Sequence, residues 1–380
     1  MAEHVGADGQ GRQRVRSLLD GRETLVTVRR KLVHATLTGT EVPATHAPGY
    51  RVAAGVRCVP PNALPGIARP HPRYTVVGGG KTGMDACLWL LQQGTAAERI
   101  RWIVPNDAWL LDRANVQPGV ENLRRFFESL AAQLECVAQA GSLDQLFARL
   151  EATGQLLRLD PGVQPSAYRC ATVSRHELAQ LRRIGAVLRL GRVREIGPEQ
   201  LLLARGQADV LPDELFIDCS ASGFRSPRGV PVFEGDAAIH LQMVRQCAPP
   251  FSGAFTAAVE CLVEGGAAER NALCAPVPLP RHDTDWVTMQ LTTLQNRQRW
   301  SPHAPLMRWL AGARLDYGTA MRSQVPPDVL ARYGEALRAA APRWPALLAA
   351  CAERAALRAG TQARSAARAS PAPAANLTPA

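Results

Sequence analysis

The sequence predicts a mixed α/β fold organised around a parallel βαβ unit, and three observations carry that prediction. A β-favouring run, Tyr74-Thr-Val-Val77, leads directly into glycines at 78, 80 and 83. A helix-period segment, Met84 to Gln93, follows and stops at Gly94. A second apolar run, Ile100-Arg-Trp-Ile-Val104, then closes a unit of about 30 residues, the span of a βαβ crossover.

The glycines stand in G-x-G-x-x-G register between strand and helix, the context of a dinucleotide-binding fingerprint. In that pattern Gly78 makes the tight turn, Gly80 lets backbone approach a pyrophosphate, and Gly83 lets the helix pack close to the strand. Gly79, Lys81 and Thr82 complete the turn, and the helix N-terminus offers free N–H groups and partial positive charge to phosphates. A P-loop would need a glycine at 75, where Thr75 stands inside the strand, so triphosphate hydrolysis is disfavoured. The ribose is read about 20 residues beyond the last glycine, at the end of the second strand. Asn106 and Asp107 lie there. An acid such as Asp107 accepts from a 2′-hydroxyl and reads NAD, whereas Arg113 clamps a 2′-phosphate and reads NADP. Both stay open.

Other elements follow along the chain. Residues 1 to about 20 are polar and glycine-containing, a poor start for a domain. Strands are expected over Thr24 to Val28, Lys31 to Thr36 and Gly55 to Val59, with proline-rich connections. Apolar spacing is helical at Leu123, Phe126, Phe127 and Leu130, and again at Leu143, Phe147 and Leu150. Ser174-Arg-His-Glu177 has the form of a capping box. Val187 to Val193 and Gln200 to Leu203 read as strands returning through Gly197-Pro198. Leu215 to Gly223 is an apolar strand ending in small residues, an echo of Lys31 to Thr36. Beyond about 270 the chain is proline-broken and then helical, and 360–380 reads as a disordered tail.

Composition narrows the function classes. The 380 residues carry a formal net charge of +11, but the arginines are scattered, without basic blocks or interleaved aromatics, so nucleic-acid binding is not expected. Nine widely spread cysteines form no C-x-x-C, which argues against a zinc cluster and for reduced thiols in a cytoplasm. No apolar stretch approaches membrane-spanning length and no signal-peptide pattern opens the chain.

Val76-Val-Gly-Gly-Gly-Lys-Thr-Gly-Met-Asp-Ala-Cys87 and Arg101-Trp-Ile-Val-Pro-Asn-Asp-Ala-Trp-Leu-Leu-Asp-Arg113 resemble the NAD(P)-binding domain of bacterial FAD/NAD(P)-binding oxidoreductases. These are distant relatives of flavin-containing monooxygenases and of the pyridine nucleotide-disulfide oxidoreductase superfamily. Supporting pieces are Arg30-Lys-Leu-Val-His-Ala-Thr36, Glu41-Val-Pro-Ala-Thr45, Phe216-Ile-Asp-Cys-Ser220 and Gln242-Met-Val-Arg-Gln-Cys247, so the resemblance runs from about Ser17 to 310. It implies a Rossmann-like NAD(P)-binding domain inserted in an FAD-binding-type domain, and hydride transfer from nicotinamide to FAD. The strand-led glycine fingerprint that would hold the FAD pyrophosphate is not found, so the FAD-type domain is expected to be incomplete and the chain to begin inside the family's pattern. His34 stands where an acid is usual and Asn106 where an arginine is usual.

The expected organisation is a partial FAD-type domain at 1–73, an NAD(P)-binding domain with a helical insert at 74–205, and a return to the FAD-type domain at 206–265. A helical region at 266–359 and the tail at 360–380 complete it. The leading function is an NAD(P)-binding flavoprotein-type oxidoreductase acting on a small molecule that the residues do not identify. The alternative is a non-catalytic nucleotide-binding module or inactive fragment. No triad or metal cluster appears. His46, His240 and His282 are acid–base candidates against a surface or packing role, and Trp102, Trp109 and Trp286 read as packing or as ring stackers.

Overall fold

The computed structural model describes residues 2–37, 39–221, 223 and 229–369, with the side chains of the last helix described as far as Thr361. Two compact units emerge. One comprises 1–40, 222–279 and 292–316, and the other 41–221, 280–291 and 317–380.

The larger unit is built on a five-stranded, wholly parallel sheet. Its strands lie in the order Ala186–Leu188, Ile100–Ile103, Tyr74–Val77, Leu215–Asp218 and Arg57–Val59. The glycine-turn strand is therefore central. All four of its residues are buried, as are all four of the strands on either side, which is the pattern of a parallel sheet covered on both faces. Alternation then sorts the side chains. Val76, Ile100, Trp102, Leu215 and Ile217 meet the helices Lys81–Gln92 and Arg175–Leu181 through Met84, Cys87, Leu178 and Leu181. Val77, Ile103 and Phe216 point the other way, against Val193, Ile196, Leu201 and Leu203. Those belong to a four-stranded sheet whose Val193–Ile196 and Gln200–Leu203 strands pair antiparallel through Gly197; the single strand expected over Val187 to Val193 is instead split between Ala186–Leu188 in the parallel sheet and Val193–Ile196 here.

A three-stranded sheet (Leu156–Leu157, Ala108–Asp112, Ala167–Val173) and the helices Leu123–Gln139 and Leu143–Ala152 fill the insert region. Trp109 stacks on Phe147 at 5.5 Å, and Phe147 meets buried Trp286 edge-on at 6.4 Å. Leu123 and Phe127 pack on Val325 and Val329 at the start of the Pro327–Ala340 helix. The last helix, Trp344–Ala369, continues through 360–369 of the segment expected to be tail. Its Ala- and Arg-rich sequence favours helix until Pro371. Residues 370–380 of that expectation lie outside the described residues.

The opposite, amino-terminal edge of the parallel sheet is a buried ion network. Glu214 accepts from Arg101 Nη2 at 2.6 Å, from Arg73 Nε at 2.9 Å and Nη2 at 2.7 Å, and from the Thr75 hydroxyl. Its side chain has no exposed surface and that of Arg101 only 4%. Arg101 also donates to Thr75 Oγ1 and to the Asp209 carbonyl, so both partners are fully bonded.

In the smaller unit, Ala2–Ala7, Gln13–Ser17 and Glu23–Val26 form an antiparallel sheet. The polar opening is thus stranded rather than irregular: Arg16 bridges Glu3 and Glu23 across neighbouring strands, and Gly11, at φ 77°, serves the turn. Leu32–His34 pairs in parallel with Ala238–His240. The helix Pro249–Leu262, unanticipated in the sequence, starts on two prolines, which suit a first turn that has no use for their missing N–H. Its Phe251, Phe255 and Val259 form a core with Phe233, Trp300, Leu306 and Leu310. Trp300 Nε1 donates to Leu273 O at 2.7 Å, and Asn296 bonds the carbonyls of Val244 and Ala275.

Seven cysteines, Cys58, Cys87, Cys136, Cys219, Cys261, Cys274 and Cys351, are free thiols.

Candidate nucleotide site

The turn leaving the central strand divides its glycines by what each would meet with a side chain. Gly78 holds φ 125°, and a Cβ on it would lie 2.5 Å from the Cys219 carbonyl oxygen. On Gly83 a Cβ would lie 2.0 Å from the Gly78 carbonyl oxygen, and on Gly79 2.8 Å from Val104 Cγ1. These three are small because protein presses on them. Gly80 is different: with an ordinary φ of −85°, it would meet nothing within 4 Å. Its space is open.

Gly80 is also the N-cap of the Lys81–Gln92 helix, and no side chain caps that terminus. A twelve-residue helix thus begins with backbone N–H groups beside the one glycine of this turn that packing leaves uncovered. The turn itself is held firmly. Gly78 N–H donates to Ile103 O at 3.0 Å, and the buried Trp102 indole donates to Gly78 O at 2.9 Å. Trp102 is therefore a brace for the turn and not a ring stacker.

The remaining sequence-predicted residues are distributed as follows. Lys81 pairs with Asp85 one helical turn on, and Thr82 is exposed. Asn106 is exposed, and its carbonyl oxygen lies 3.5 Å from the position of a Gly79 Cβ, so the glycine turn and the end of the second strand are neighbours. Asp107 is buried and gives both carboxylate oxygens to Arg189, from Nε at 2.9 Å and Nη2 at 3.1 Å. Arg113 lies on the capping-box acid Glu177 at 3.1 Å and on Thr172 O. The glycines and Asn106 are brought together; Asp107 and Arg113 have protein partners of their own. Arg189, which also reaches Asp160 at 3.3 Å, is the residue the sequence did not signal.

Behind the turn, Asp218 accepts from Tyr50 Oη at 3.0 Å and from the Ser220 hydroxyl at 2.6 Å. Burial pushes the Tyr50 phenol far up, the Cys58 thiol to about 11 and the Cys219 thiol to about 12, the last helped by the Asp218 charge. These groups stay protonated at neutral pH, so none is an activated nucleophile. Of the histidines, His240 stacks on His34 at 4.9 Å and bonds Glu234, His46 bonds Thr45, and the His282 N–H bonds Asp285. No group of three or more His, Cys, Asp or Glu residues is placed to hold a metal among the described residues. No helix among them is long and apolar enough to cross a membrane.

No family model matches the chain. Over 316 residues, 83% of its length, it is 46% identical to proteins of Mycobacterium bovis and Mycobacterium tuberculosis, each described as an uncharacterized protein. The chain spans 57% of the length of these relatives.

Proposed function

We propose that this chain is the Rossmann-like nucleotide-binding part of an oxidoreductase of the FAD/NAD(P)-binding kind. The observation that carries the reading is the open space at Gly80, at an uncapped helix N-terminus that follows the central strand of a parallel sheet. Ligands of open parallel sheets lie beyond the carboxyl ends of the strands, where this turn is.

The backbone around the turn is what supports a nicotinamide dinucleotide as the ligand. The backbone of Gly80 to Thr82 offers donors to a pyrophosphate, and the helix dipole favours its charge. Gly78, Gly79 and Gly83 keep the turn tight against Cys219 and Val104 so that those donors are preorganised. A reduced nicotinamide held there would supply hydride chemistry, with FAD as the acceptor that the resemblance implies. Among the described residues no second glycine turn joins a buried strand to a helix, and no step is assigned to residues holding FAD. The side chains behind the turn, with thiols held protonated, serve as a wall that excludes water rather than as reactants.

The test is fluorescence titration with NADH and NADPH. Saturable binding that Gly80→Val removes supports the reading, and identical binding by the variant contradicts it. Titration with S-adenosylmethionine tests whether the same turn instead holds the nucleotide of a Rossmann-type methyltransferase.

A further inference from the structure

A cluster of arginines without acid partners lies along the chain segments that continue from the glycine turn. Asp107 anchors it: its carboxylate holds Arg189, and its carbonyl accepts the N–H groups of Ser166 and Ala167 at 3.1 and 3.2 Å. The Ser166 carbonyl in turn accepts Asp283 N–H at 3.1 Å. Segments 105–107, 166–169, 189–192 and 281–283 thus meet in one place. Asn106, in the first of them, touches the glycine turn.

Arg169, Arg192 and Arg281 come from three of these segments and are exposed. Their side chains make no hydrogen bond or ion pair among the described residues. The nearby acids are already committed: Asp107 and Asp160 to Arg189, Asp283 to Arg354 and Arg358, and Asp285 to the N–H groups of Arg281 and His282. The Arg169 guanidinium sits below its ordinary pKa, first through the protein crowded around it and then through the charges of Arg192 and Arg281. Crowding and exposure differ here because protein flanks the group while one side stays open to solvent. The exposure is what an incoming anion needs. Arg169 also sits where the Ala167–Val173 strand loses register between Tyr168 and Thr172, with Cys170 at φ 55°. Bulges of this kind re-aim side chains.

Unneutralised guanidinium groups held together repel, and a dianion placed among them converts the repulsion into charge-assisted hydrogen bonds. We infer that Arg169, Arg192 and Arg281 form an anion site that takes a phosphate monoester. Its position beside Asn106 rests on the nucleotide reading above only for the source of the phosphate. That source is either the 2′-phosphate of a dinucleotide on the glycine turn or a separate phosphorylated small molecule.

The experiment compares the full chain with an Arg169→Gln/Arg281→Gln variant and with Gly80→Val. Thermal midpoints are measured in sodium phosphate against sodium chloride at equal ionic strength, and affinities for NADPH and NADH by titration. Without ligand the double variant should melt no lower than the parent, because it loses only repulsion. Phosphate is expected to raise the parent midpoint and to lose that effect in the double variant. If the source is the dinucleotide, NADPH binds at least about tenfold tighter than NADH and the ratio falls to about one in the double variant. If a separate phosphate ester is the source, the protection by phosphate disappears in the double variant while NADPH and NADH bind alike throughout. Both results support the site. Phosphate protection and an NADPH to NADH ratio that are both unchanged by the double substitution overturn it. Gly80→Val keeps the two readings apart: unchanged NADH affinity in that variant defeats the nucleotide reading and leaves the phosphate result standing.

Discussion

At the amino-terminal edge of the parallel sheet, Glu214 is wrapped by Arg73, Arg101 and Thr75 with no water-facing surface. At the carboxyl edge of the same strands, Gly80 faces open space and the helix behind it has no cap. Both ends collect charge or partial charge, yet one end satisfies every group and the other leaves donors unspent. A protein tolerates unused backbone donors where water or a ligand takes them, and the contrast separates the end that holds the sheet together from the end that is available to bind.

Breaking the closed end should give the largest effect. Glu214→Ala strands the Arg101 guanidinium in the interior, and loss of one partner of a buried pair costs about 3–5 kcal/mol. Denaturant unfolding of the larger unit measures it; a change under 1 kcal/mol, on the scale of an exposed pair, would show that water reaches the network. Next come the packed glycines. Gly83→Ala drives a methyl into the Gly78 carbonyl, and Gly78→Ala adds a positive φ to a clash with Cys219 O. Each is expected to cost about 1–3 kcal/mol, read by the same unfolding experiment.

These glycines also mark what the sequence made legible. Strand, turn and helix at 74–92 are written locally, as are the Ser174 capping box and the hairpin return at Gly197, so each was read with its neighbours. The rest depends on distant partners. Arg189 reaches Asp107 across 82 positions and Arg101 reaches Glu214 across 113, and no local pattern announces either. The opening strands escaped because cross-strand ion pairs, not alternating apolar residues, hold them. The helix Pro249–Leu262 escaped because its prolines resemble those of the irregular segments nearby. Within the site, the turn was visible, but the division between packed and open glycines needs the neighbours Cys219 and Val104.

Smaller effects sharpen the contrast. Glu135 lies below the ordinary carboxylate range because it accepts from Arg332 Nε and Nη2 at 2.7 and 2.8 Å. A depressed folded pKa stabilises above the unfolded value of about 4.3 and is lost as pH falls through the folded one. Arg332→Gln should therefore cost less than about 1 kcal/mol at pH 7, since both side chains are partly exposed, and the difference should shrink as pH falls below about 4.3. Unfolding midpoints across that range check it; a constant difference would deny the pair any role.

Least of all in energy, a thiol reagent at pH 8 should modify the exposed Cys261 in the native protein. Cys219, its thiol pushed up to about 12 beneath the glycine turn, should react only in denaturant. Equal labelling rates in mass spectrometry would mean that the turn opens readily.

The most direct measurement is NADH titration of Gly80→Val beside the parent, with a melting curve for each. Valine at an open, extended N-cap should cost the fold less than about 1 kcal/mol, because its Cβ meets nothing. The prediction is an almost unchanged melting midpoint with NADH affinity at least about tenfold weaker. Equal affinity in the two proteins would contradict it, because the space in front of Gly80 would then be empty for some reason other than a nucleotide.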